Sequence, residues 1–296
     1  MALPADGRSD IADFVTIGNA ISAGIAPAFK QASFGLNLVH AETCPLDSNV
    51  IKFRTSGSVI AEAVTEGAVY TPTDTNSDIT DTSVTATAVK VMVASPITAE
   101  ALRFTAGQAN FARYSAEQGR ALGRYFDNDL CSLFNGVTNV ATATSTLDTD
   151  TILTGQYNVN AALVPPGRQV CVLDHKGLLE IKKQLSNTGA AIYQSQYQHP
   201  LLGAPQPNGY QGSLFDIDFY SSPYLTTTSS DDQGCIFNPE YAFAAAMGGA
   251  VETEIVFTGT GVALNIPAVS WIVISWMFYD LVMWNDTAAC EVRSDT

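Results

Sequence analysis

From Thr55 to Val89 the chain holds no Lys, Arg or His, yet Glu62, Glu66, Asp74, Asp78 and Asp81 all fall within it. Thr71, Thr73, Thr75, Thr80, Thr82, Thr85 and Thr87 crowd its second half, and β-branched side chains of this kind favour extended backbone over helix. Val50-Ile51-Lys52-Phe53-Arg54 opens one strand. In a second, Val84, Ala86, Ala88, Lys90, Met92 and Ala94 alternate with Thr85, Thr87, Val89, Val91 and Val93, a period of two. The pattern predicts a long hairpin over residues 50–95 built mostly from Ala, Val, Thr and Ser. A two-stranded ribbon is marginal alone in water. It must lean on its own domain or on a neighbouring molecule.

Residues 97–134 read as one long helix. Pro96 stands before it, Thr98 is in place for an N-cap, and Glu100 lies in the first turn. At 100° per residue Phe104, Phe111, Ala112, Leu122, Phe126, Leu130 and Leu133 gather on one face. Arg113, Arg120 and Arg124 gather on another, within about 40° of one another. Gly107, Gly119 and Gly123 each cost a helix roughly 1 kcal/mol against Ala, unless they admit a closely packed neighbour. Asn135-Gly136 ends the element. Two compatible readings of the arginine stripe remain. Glu117 can pair locally with Arg113 and Arg120, for about 0.2–0.5 kcal/mol each; or a neighbour's acidic ribbon crosses the helix.

The remainder mixes strands and helices. Val170-Cys171-Val172-Leu173 reads as a buried strand, with Asp174 capping a helix over His175–Leu185. Leu214–Tyr220 alternates as a strand, Pro239–Met247 reads as a helix, and Val251–Phe257 and Ser270–Trp284 read as strands.

The chain has 296 residues, enough for one large domain or two modest ones. Its 14 Lys+Arg against 29 Asp+Glu give a formal charge of −15, which excludes a dedicated nucleic-acid binder resting on a basic footprint. Only 15% of residues are charged and 46% are hydrophobic; an intrinsically disordered chain is excluded, and much of the surface is expected to be covered by something else. The uncharged stretch Phe14–Phe29 ends in Ala26-Pro27-Ala28 but is preceded by Asp6, Arg8, Asp10 and Asp13. That is the wrong charge for a secretory signal. Ile266–Tyr279 is too short to span a bilayer and reads as buried strand.

No chemistry-bearing constellation emerges. His40, His175 and His199 lack ligand spacing, and Cys44, Cys131, Cys171, Cys235 and Cys290 form no paired motif. Asp174 and His175 are adjacent and do not face each other. Phosphate-loop, dinucleotide and nucleophile-elbow motifs are absent. No catalytic residue, cofactor or metal is expected.

The order of parts resembles the major capsid proteins of tailed bacteriophages, the Hong Kong 97-type fold. The matching residues are Glu66-Gly67-Ala68 in the hairpin and Pro96-Ile97-Thr98-Ala99-Glu100-Ala101-Leu102 at its exit. The run from Cys171 to Leu185, Gly189, Leu201-Leu202-Gly203, Gly209-Tyr210-Gln211-Gly212 and Phe237-Asn238-Pro239-Glu240-Tyr241-Ala242-Phe243 continue the match. The resemblance implies an α+β fold in which 1–49 is an N-terminal arm and 50–95 an extended β-hairpin E-loop. Residues 96–149 and 251–296 would form a P-domain with its spine helix at 97–134, and 150–250 would be mainly an α/β A-domain.

It further implies a protein that self-assembles as hexamers and pentamers into an icosahedral shell around packaged double-stranded phage DNA. Its partners would be its own copies, a scaffolding protein, a portal and a decoration protein. DNA would be touched only non-specifically and no membrane would be involved. Assembly would take place in the host cytoplasm and the protein would reside in the virion capsid. Some members join subunits through a Lys–Asn isopeptide bond whose lysine sits in the E-loop, and residues 55–89 hold none. With a short arm after Met1, no long cleaved scaffolding segment is expected, and a separate scaffolding protein or scaffold-free assembly is expected instead. Glu66, Asp74, Asp78 and Asp81 are expected to meet basic groups on neighbouring subunits, with Arg113, Arg120 and Arg124 as their partners. The alternative is a secreted or surface-layer β-rich binding protein.

Overall fold

The structure, a computed structural model, describes residues 24–56, 81–98, 107–162, 167–187, 209–225, 232–258 and 270–294. Its longest strand, β12 (Ser270–Met283), is rich in Ile, Val, Trp and Phe, residues suited to a pleated, partly buried surface. One edge of β12 pairs antiparallel with β4 (Val89–Thr98), from Ser270↔Thr98 to Tyr279↔Val89. The other pairs with β11 (Glu252–Thr258) and then β10 (Phe243–Met247). The chain stays against β12 between those two strands, where Gly248 N–H donates to Phe278 O. A Cβ on Gly248 would stand 2.5 Å from Phe278 Cβ, so only glycine fits. Strand β1 (His40–Thr43) adds in parallel beyond β10.

Against one face of this sheet lies α2 (Gly107–Leu133). Val273, Ser275, Met277, Tyr279 and Leu281 point toward it and are buried. The sequence pattern places the helix start near residue 97, but β4 runs through Thr98 and the described helix begins at Gly107. Pro96 is compatible with the strand because, among the described residues, β4 pairs with β12 alone, and an unpaired edge tolerates a missing N–H.

The hairpin also departs from its sequence pattern. Strand β2 (Val50–Ser56) pairs with β3 (Asp81–Thr87) alone, and β4 pairs with β12. The changeover is at Ala88, whose N–H donates to Asn49 O while Thr87 N–H donates to Asp280 Oδ2. Side-chain parity flips there. Ala86 and Ala88 are buried, whereas Lys90, Met92 and Ala94, on the same side in the sequence pattern, are exposed. Ile51, Phe53 and Ala86 pack on Ala244 and Ala246 of β10, beside Val282 and Trp284.

A second sheet has the order β5 (Val140–Ala143), β13 (Ala289–Ser294), β9 (Asp232–Phe237), β6 (Gln169–Leu173), β8 (Ile217–Ser221) and β7 (Tyr210–Leu214). The segment expected to form one strand over Leu214–Tyr220 is instead a hairpin, turning at Phe215 and Asp216 with φ of 55° and 62°. The helix expected at Pro239–Met247 is strand β10. Its alanines favour helix intrinsically, but burial between β1 and β12 decides the outcome. Helices α3 (Thr149–Ala161) and α4 (His175–Asn187) cover one face of this sheet through Ile152, Val159, Leu178 and Ile181. Asp174 caps α4 as expected, accepting from Lys176 N and Gly177 N. The two sheets meet in one core at Phe134, Phe237 and Phe243, whose rings lie 5.0–5.7 Å apart.

Candidate subunit-contact surfaces

Helix α2 has three sides. Toward the sheet, Gln118 Nε2 donates to Val273 O and Gln118 Oε1 accepts from Ser275 Oγ, so its buried amide is satisfied. A second side receives the N-terminal helix α1, whose described part is residues 24–32. Gly119 and Gly123 make that approach possible. A Cβ on Gly119 would fall 2.6 Å from Ile25 O, and one on Gly123 would fall 3.0 Å from Ala32 Cβ. Phe29 meets Phe126 edge to face at 6.2 Å. Where α1 ends, Asp127 accepts from Ser33 Oγ, Gly35 N and Phe34 N at 2.7, 3.0 and 3.2 Å. Burial pushes its carboxyl up to about 6, although all three donors pull the other way.

The third side is open. Arg113, Arg120 and Arg124 are all exposed there. By the 100° step they lie about 160° from Gln118 and Leu122, directed away from the sheet. Arg120 Nη1 lies 2.9 Å from Glu117 Oε1 with both side chains half-exposed, so the local pairing is real, and weak. Among the described residues, neither Arg113 nor Arg124 has an ion-pair partner.

Of the expected acidic counterparts, Glu66, Asp74 and Asp78 lie outside the described residues, and Asp81 is described only as the first residue of β3. No contact between these acids and the arginines is therefore on view.

Sequence reasoning missed a surface on the far side of the five-stranded sheet. Thr253 Oγ1 lies 3.4 Å from Ser275 Oγ on the α2 side, so its neighbours Glu252 and Glu254 turn outward. Trp276 donates its indole N–H to Glu252 Oε2 at 3.1 Å, and Lys90 Nζ sits 4.2 Å from the Trp276 ring centre. Met92, Ala94 and Pro96 of β4 are exposed beside half-buried Ile274, Trp276 and Phe278 of β12. Period-two alternation in β4 marks two faces, but nothing in it says which face the chain itself covers.

Among the described residues no three metal-binding side chains converge, and no helix is long and apolar enough to cross a membrane. Cys131, Cys171, Cys235 and Cys290 are buried free thiols, Cys131 being pushed up to about 12 by burial.

No protein-family model matches the chain, and no curated protein sequence does. Solved structures do. The capsid of Ralstonia phage GP4 matches with a TM-score of 0.65 at 9% identity, over 90% of this chain and 92% of that one. The capsid of cyanophage P-SCSP1u gives 0.61 at 13% identity, over 90% and 89%. A virus-like particle from Pyrococcus furiosus gives 0.58 at 5% identity, over 93% and 98%. The chain therefore has an α+β phage capsid fold along nearly its whole length.

Proposed function

We infer that this chain is a major capsid protein of the Hong Kong 97 type, assembling as hexamers and pentamers into an icosahedral shell around packaged phage DNA. The observation that carries the reading is a capsid fold spanning 90% of the chain, on a molecule whose described exposed residues include arginines, acids and large apolar groups. Residues 50–95 act as the E-loop, α2 as the spine of the P-domain, and the six-stranded sheet with α3 and α4 as the main body of the A-domain. Glu66, Asp74, Asp78 and Asp81 are contact groups toward neighbours, as are Arg113, Arg120 and Arg124. Many modest contacts in a closed lattice combine through effective concentration into a durable container. The charge of −15 suits an inner wall along which DNA slides. A scaffolding protein, a portal and a decoration protein complete the set of partners, with assembly in the host cytoplasm.

Negative-stain electron microscopy of the protein, produced alone and with its scaffold, tests this reading. Closed shells, tubes or capsomer rings are expected. Only isolated subunits of 31.4 kDa under both conditions contradict it.

A further inference from the structure

The five-stranded sheet and α2 form a slab with two unlike outer surfaces. One carries Arg113, Arg120 and Arg124 with Glu117; the other carries Glu252, Glu254 and Lys90 beside an apolar strip of Met92, Ala94 and Trp276. The chain covers only part of the second surface with its own atoms. At the β10 end, Ile51, Phe53 and Ala86 of the ribbon lie on Ala244 and Ala246. At the β11–β4 end no described element lies over it, and Met92 is 54% exposed. Large apolar groups rimmed by charge mark a contact surface. Arginines outnumber acids on the α2 side and acids outnumber lysine on this one, so the two net charges are opposite in sign. Two different, complementary patches on opposite sides of one molecule make a head-to-tail contact, which closes into rings when the rotation per step permits.

We propose that the outer face of β11, β12 and β4 docks the arginine side of α2 from a second copy of this chain, with Glu252 and Glu254 facing Arg120 and Arg124. The assignment rests on the shell-forming reading and adds a slab-to-slab contact to it. Acids of the hairpin compete for the same arginines, so which acids prevail is decided by experiment.

Three variants and one mixture test it, by sedimentation and electron microscopy at about 0.1 M salt, where charges farther apart than about 10 Å are screened. Arg120→Glu with Arg124→Glu gives a slab acidic on both sides; Glu252→Arg with Glu254→Arg gives one basic on both sides. Each double variant is expected to lose at least 90% of its assembled fraction while keeping the wild-type far-UV spectrum. The quadruple variant, in which the charges are exchanged, recovers assembly. An equal mixture of the two double variants also recovers it, in rings of even subunit number. Normal assembly of the Glu252, Glu254 variant overturns the proposal, as does a quadruple variant no better than either double.

Should a double variant misfold, Arg124→Cys with Glu254→Cys carries the test. Mild oxidation is expected to give a ladder of covalent oligomers, and monomer alone overturns the assignment. Wild-type protein that never assembles contradicts the shell reading instead, and rescue of the arginine reversal by reversed hairpin acids upholds that reading while removing this contact.

Discussion

Strand β12 presents the same kind of residue to two different environments. Its inward side chains, Val273, Ser275, Met277 and Tyr279, are closed off by α2, and the polar ones are satisfied there. Ser275 pairs with Gln118, and Tyr279 donates to Asp129; burial, together with that bond, holds the phenol pKa well above its ordinary value. Its outward side chains Ile274, Trp276 and Phe278 are comparably large but only half-buried. The ribbon covers this face at Ala244 and Ala246, beside Val282 and Trp284; where no described element covers it, large side chains are flanked by Glu252, Glu254 and Lys90. The inward face holds the subunit together, and the outward face is available to hold subunits to each other.

Substitutions that separate stability from assembly sharpen that contrast. The largest expected effect is on the inward side. Phe126→Ala removes a fully buried ring between α1 and Tyr279 and should cost about 3–5 kcal/mol in chemical unfolding. Asp127→Ala comes next. It leaves Ser33 Oγ and the N–H groups of Phe34 and Gly35 without their acceptor, a loss of roughly 2–4 kcal/mol if part of the set is rehydrated. Faster hydrogen exchange confined to residues 24–38 would accompany it.

The same carboxylate gives a pH signature. Its folded pKa of about 6 lies above the ordinary 3.8, so the folded state holds the proton more tightly than the unfolded chain. Its contribution is full below 3.8 and is lost as pH rises to about 6. Wild-type stability measured against Asp127→Asn should therefore fall across that window. A difference that rises with pH there contradicts the burial argument. On the outward side, Arg124→Glu should change subunit stability by less than about 0.5 kcal/mol while reducing assembly. The smallest effect belongs to Glu117→Ala. It removes an exposed pair with Arg120 and should shift stability by less than about 0.5 kcal/mol.

Much of this is legible in the residue order. The period-two run of β11, the aromatic-rich strand β12, the Asp174 cap and the arginine stripe of α2 follow from local pattern, and local pattern survives folding. Gly119 and Gly123 signal a close neighbour without naming it, because the identity of α1 is a long-range fact. The expectations that fail share a cause. Pro96 suggests a helix boundary and Ala242–Ala246 a helix, yet edge placement tolerates the proline and burial overrides the alanines. The parity flip at Ala88 is invisible in the sequence because it depends on β3 and β4 pairing with different strands. The open face needs knowledge of which side α2 covers.

Hydroxyl-radical footprinting of assembled particles against dissociated subunits tests the central claim most directly. Protection of Met92 and Trp276 on assembly, with the already buried Met277 and Phe126 unchanged, is the result this account predicts. Equal labelling of Met92 and Trp276 in both states would contradict it.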